Sequence, residues 1–147
     1  MREIRFRGKS YKEFIEENEW IQEHLHDDGF VYGKLAGSIA NPIILGEVVE
    51  SCSEYISFEF WVPVNPETVG QFTGLLDKNG VEIYEGDICN FYNTSQWTKG
   101  MEYGWQVSYD DLNFCFRRIP DNGENYWIGS PATKEIEVIG NIHEVTK

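Results

Sequence analysis

Apolar and polar residues alternate at the start of this chain, give way to helical spacing, and then return to alternation. Met1–Lys9 reads MREIRFRGK, with Ile4 and Phe6 set between Glu3, Arg5 and Arg7. That pattern predicts a half-buried strand with its arginines on the solvated face. Ser10-Tyr11-Lys12-Glu13 has the form of a capping box, in which the Ser10 hydroxyl accepts from the Glu13 N–H and the Glu13 carboxylate reaches back. Phe14, Ile21 and Leu25 follow at helical spacing, with Ile15 beside the first. One helix is expected over about 11–26, stopped by Asp27-Asp28-Gly29. His24 and His26 are two apart, so on such a helix they point to different faces and make no i,i+4 metal pair.

From Phe30 the period is two. Strands are expected at Phe30–Leu35, Ile43–Val49 and Tyr55–Val62. In the last, Ile56, Phe58, Phe60 and Val62 face one way, Ser57, Glu59 and Trp61 the other, and Pro63 ends it. Glu67–Ile88 reads ETVGQFTGLLDKNGVEIYEGDI, punctuated by Gly70, Gly74, Gly80 and Gly86. Asp77-Lys78-Asn79-Gly80 predicts a hairpin, of type I′ if Asn79 and Gly80 both take φ > 0. Glu85-Gly86-Asp87 reads as a second tight turn. Further strands are expected at Asp87–Tyr92, Tyr103–Tyr109, Asn113–Ile119, Tyr126–Ile128 and Glu135–Val145, with Gly140 marking a bulge. Asn93–Met101 reads as a loop.

These elements give a single α+β domain over 1–147, predominantly antiparallel β. Residues 1–66 form a β-rich part that carries the helix. Residues 67–147 hold a small, strongly bent barrel similar to SH3-like modules, spanning roughly Tyr84–Val145. Its expected core is Ile88, Phe91, Val107, Phe114, Phe116, Ile136, Val138 and Ile142.

The charge balance narrows the function. Among 147 residues, 25 acidic against 12 basic side chains give a net charge of −13. Such a chain repels phosphate, which disfavours general binding to nucleic acid or anionic membrane; the excess commonly serves solubility, and more rarely mimics the charge of DNA toward a basic protein. An aromatic content of 15% argues for an ordered core rather than disorder. Cys52, Cys89 and Cys115 are odd in number and lack a C-x-x-C spacing, so neither a zinc site nor a disulfide framework is indicated, and reduced thiols in a cytosol are expected. The charged N-terminus has no secretory h-region, and the longest aliphatic run, Ile43-Ile44-Leu45, is far short of a membrane span.

Few residues invite chemistry. Glu85 and Asp87 flank Gly86 and could share a divalent cation or do acid–base work, although an aspartate at a turn ordinarily accepts backbone N–H bonds. Asp77-Lys78-Asn79-Gly80 places its glycine too early for a calcium loop. No G-x-S-x-G, H-E-x-x-H or P-loop pattern occurs. Gly74, Asp77, Asn79, Gly80, Glu85, Gly86 and Asp87 are therefore read as structural turn residues, with no catalytic, cofactor-binding or metal-binding residue expected. Trp61 faces away from the apolar side of its strand, and Trp97 lies in a polar loop, so both are candidates for a protein interface. Arg5 and Arg7, with Arg2 and Lys9, form the one locally basic segment and are candidates for an acidic partner or phosphate.

MREIRFRGK at Met1–Lys9, FVYG at Phe30–Gly33, VGQFTGLLDKNGVEIYEGDI at Val69–Ile88, GWQVSYDDLNFCF at Gly104–Phe116 and EVIGNIHE at Glu137–Glu144 together resemble the YopX family of phage and prophage proteins. The segments around Tyr11–His26 and Asn93–Met101 fall outside that pattern. The resemblance implies an intracellular, prophage-encoded protein with a β-rich α+β fold, and implies no reaction. The expected function is non-enzymatic binding or assembly through protein–protein contacts, with a host or phage protein as partner, as a homo-oligomer in the host cytoplasm. Two alternatives stand beside it. One is a nucleic-acid binder that uses the basic strand and stacking aromatics. The other is a metal-dependent hydrolase that uses Glu85 and Asp87.

Overall fold

The alternating segments become thirteen strands, each antiparallel to its neighbours, among the described residues of the computed structural model: 3–97, 99–110, 113–118, 125–131 and 133–144. The chain divides into two compact units, Met1–Gln71 and Phe72–Lys147.

In the first unit β1 (Phe6–Gly8) is a central strand. It pairs with β2 (Val31–Gly37) on one side and the start of β7 (Gly70–Leu76) on the other. β3 (Pro42–Leu45) joins β2, and β6 (Trp61–Pro63) joins β3. Ile21, Val31, Ile44, Val62 and Val64 form the core, with Phe6, Phe14 and Leu25 packed against it. Burial corrects the reading of Arg7. It is only 4% exposed, its guanidinium 4.3 Å from the centre of the Phe30 ring. Ile4, expected inside, is exposed.

The single helix is shorter than its pattern suggests. Helix α1 covers Lys12–Glu17, and a 3-10 turn covers Glu19–Glu23. Asn18 makes the break: its backbone leaves the helical region, and its side-chain amide donates to the Phe14 carbonyl at 2.8 Å. Asparagine offers the backbone this local alternative to a helix. Nor does the capping box form. Tyr11 takes the N-cap position without a side-chain bond, and the Ser10 hydroxyl donates instead to the Pro63 carbonyl at 2.7 Å.

The strand expected at Ile43–Val49 breaks at Gly46-Glu47, and the one at Tyr55–Val62 breaks at Glu59-Phe60. The two breaks face each other: Gly46 N–H bonds to Phe60 O at 3.0 Å and Glu59 N–H to Glu47 O at 2.8 Å. Beyond them β4 (Val48–Ser51) and β5 (Ile56–Phe58) make a separate hairpin.

In the second unit β8 (Glu82–Tyr84) pairs with the end of β7. β9 (Asp87–Asn93), β10 (Gly100–Asp110), β11 (Asn113–Arg117), β12 (Asn125–Trp127) and β13 (Thr133–Asn141) form a sheet in the order β12-β11-β10-β9-β13. Bulges at Glu102/Trp105, Lys134/Glu137 and Val138/Gly140 bend it. The sheet nevertheless stays open, which corrects the expectation of a closed SH3-like barrel. A hairpin tip occupies the outer edge of β13: Lys78 N–H donates to Ile136 O at 2.8 Å, and the Asp77 carboxylate accepts from Val138 N–H at 3.0 Å. That edge is covered by a turn in place of a further strand, one of the ways proteins protect sheet edges.

The core of this unit is Ile83, Cys89, Phe91, Trp105, Val107, Phe116 and Ile136, with Phe91 stacked on Phe116 at 4.5 Å. Three expected members do not belong to it: Phe114 is buried but outside this cluster, and Ile88 and Ile142 lie elsewhere. β9 buries Asp87, Cys89, Phe91 and Asn93, so Ile88 lies on the other face, and Ile142 is exposed. Among the described residues no helix is long and apolar enough to cross a membrane.

Candidate functional site

The break at Asn18 turns the chain so that aromatic side chains gather on the first unit. Trp20, in the 3-10 turn, stands edge-on to Phe14 at 6.3 Å, and Phe14 lies 6.2 Å from Trp61. Trp20 is 40% and Trp61 55% exposed. Alternation along β6 accounts for the latter, since it sends Val62 into the core and Trp61 outward. The Trp20 indole N–H donates to Asn18 Oδ1 at 3.3 Å, so the residue that ends the helix also orients this ring.

A concavity of about 480 Å³ adjoins this band, lined by Glu23, His24, Leu25, His26, Asp27, Tyr32, Glu59 and Phe60. His24 lies over Phe60 at 4.4 Å, and His26 meets Tyr32 edge-on at 4.5 Å. The expectation that these histidines face apart fails because the helix has ended before His24, so helical spacing no longer applies. Gly46 makes room for Phe60, since a Cβ there would come within 2.8 Å of the ring. The Tyr32 hydroxyl donates to Asp28. Burial first, and the Asp28 hydrogen bond and charge next, push the Tyr32 phenol well above its ordinary range, so it stays neutral.

The other singled-out residues are placed as follows. Arg5 pairs with Glu3, and the Lys9 ammonium lies 4.9 Å from the centre of the Phe30 ring. With Arg7 buried, these three cations are committed within the first unit, and Arg2 lies outside the described residues. Trp97 is 85% exposed in the loop between β9 and β10. Gly74 lies within β7 at φ 85°.

Asp77 Oδ1 accepts from Asn79 N–H at 2.8 Å and Val81 N–H at 2.9 Å, while Oδ2 takes Val138 N–H. Burial alone would raise its pKa, but these three bonds, with the Lys78 charge, hold the carboxyl below its usual value. Gly80 has φ 82°, whereas Asn79 is not among the positive-φ residues, so the turn is not type I′. Gly80 N–H to Asp77 O at 3.1 Å and Asp77 N–H to Val81 O at 2.7 Å define a three-residue loop with glycine in the left-handed position.

Glu85 and Asp87 do different things. Asp87 is buried and accepts the Tyr84 N–H at 2.8 Å, whereas burial raises the Glu85 carboxyl. Among the described residues no group of three or more His, Cys, Asp or Glu is placed to hold a metal ion.

A family model described as YopX protein matches residues 11–147. The chain belongs to the YopX family. This membership points to a phage-type protein. The match takes in the acidic Tyr11–His26 segment and does not reach MREIRFRGK. No curated protein matches the sequence.

Proposed function

We propose that this YopX protein is a non-enzymatic binding protein of a prophage, working in the host cytoplasm and taking a host or phage protein through the Phe14–Trp20–Trp61 band. The observation that carries this reading is the pair of exposed tryptophans built onto one ordered surface. Exposed indoles supply large contact area at small conformational cost, and tryptophan is enriched among residues that dominate interface energies. Thiols at Cys52, Cys89 and Cys115 suit a reducing compartment. Self-association enters through the outer edge of β6, the strand that ends its sheet and bears Trp61.

The test is affinity capture from an induced lysogen with wild type and a Trp20→Ala/Trp61→Ala variant, together with sedimentation of each. The reading expects a stoichiometric protein partner that the double variant fails to retain, and a lower oligomeric state for the variant. Equal capture by both proteins would remove the band from the function.

A further inference from the structure

The concavity beside the band has walls and a charge that select a ligand. Its walls are aromatic, the tilted His24–Phe60 pair and the edge-on His26–Tyr32 pair. Glu23, Asp27 and Glu59 are exposed around it, and no lysine or arginine lines it among the described residues. Arg7 reaches Tyr32 from within the unit, but it is buried and lies against Phe30. Phosphates and acidic side chains are repelled by three carboxylates, and an apolar side chain would desolvate them without return. A planar cation satisfies both features, because a guanidinium stacks on rings through its faces and donates to carboxylates through its edge. An ammonium is compact and strongly hydrated, and does only the second well. The volume of about 480 Å³ lies within the range of small-ligand sites.

We propose that this concavity is an anchor pocket for an arginine side chain on a basic segment of the partner protein. The inference rests on the binding function proposed above and names the chemistry of that partner. The net charge of −13 favours such a partner at long range, and the pocket gives it a register.

The probe is an amidated Gly-Arg-Gly-Arg-Gly peptide, titrated into the full chain at low salt while the His24 and His26 ring resonances and tryptophan fluorescence are followed. The expected result is saturable shifts at both histidines that weaken as salt is raised. Glu59→Gln and Glu23→Gln, both at exposed positions that should leave the fold intact, should each weaken binding about two- to fivefold. Gly46→Ala, whose Cβ would crowd both the Phe60 ring and the Glu59 Cβ, should weaken it as well. The lysine peptide should bind more weakly than the arginine peptide. Absence of saturable shifts, equal shifts with a glutamine peptide, or tighter binding of spermidine than of the arginine peptide would each overturn the assignment. Failure here is separable from failure of the band. If the arginine peptide does not bind but Trp20→Ala/Trp61→Ala still loses its captured partner, only the pocket falls. If the peptide binds and the double variant captures normally, only the band falls.

Discussion

Replacing Asp77 with alanine removes the acceptor for three backbone N–H groups at once. Those of Asn79 and Val81 lie in a hairpin tip that water reaches, so each loss costs about 0.5 kcal/mol. The Val138 N–H lies on the partly buried edge of β13, and losing a charged acceptor there costs about 2 kcal/mol. The sum is about 3 kcal/mol, a large share of the roughly 5–15 kcal/mol that holds a domain together. With an m-value of about 2 kcal/mol/M the urea midpoint of the second unit should fall by about 1.5 M, m itself staying constant. Amide exchange at Val138 should quicken more than at Val107 in the core. Asp77→Asn should cost less only by the two turn bonds, because its one oxygen still accepts from Asn79 and Val81 while its amide nitrogen, a donor, cannot accept from the Val138 N–H. The sign with pH follows from the depressed carboxyl. Its contribution is fully present above the unfolded value of about 3.9 and is lost as pH falls through the lower folded value. The gap between wild type and Asp77→Ala should therefore close in acid. A cost below about 0.5 kcal/mol, or unchanged exchange at Val138, would refute the edge-clamp reasoning.

Glu85 has the opposite sign: its folded pKa is raised, so its ionised form opposes folding increasingly as pH rises through the unfolded value of about 4.3. Glu85→Gln should be the more stable protein at neutral pH and match wild type in acid, as read by urea midpoints at both. Gly86→Ala should lower stability by about 1–2 kcal/mol in a thermal melt, because residue 86 holds φ at 93° between bonds to Val107 O and from Ile142 N–H. Phe116→Ala, which removes one of two stacked core rings, should cost about 3–5 kcal/mol. Trp97→Ala, at an exposed loop position, should stay within about 0.5 kcal/mol.

What the sequence discloses here follows the range of the interaction. The Asp77–Gly80 hairpin was legible because four adjacent residues encode it. Its turn type was not, because Asp77 pairs with Val81 and leaves three residues in the loop where Asn-Gly alone suggests two. Alternation placed Trp61 outward, and a glycine within a strand pattern marked the bulge at Gly140, since both depend on their own strands. Alternation failed for Arg7, because Phe30 covers the face that alternation left to solvent. Ile88 and Phe91 could not share a core at an odd spacing, and β9 buries only the second. Helical spacing was clear from Phe14 to Leu25, but Asn18 broke it with a side-chain bond that periodicity does not register. The concavity was the least legible feature. His24 meets Phe60 only after β2, β3 and β6 are paired, and His26 meets Tyr32 only across the turn that follows the end of the helix.

The most direct measurement is hydrogen–deuterium exchange on the captured complex against the protein alone. A binding function seated on the first unit predicts protection concentrated at Phe14–His24 and at Phe60 and Trp61, with the loop bearing Trp97 unchanged. Protection confined to that loop or to the sheet of the second unit would contradict it.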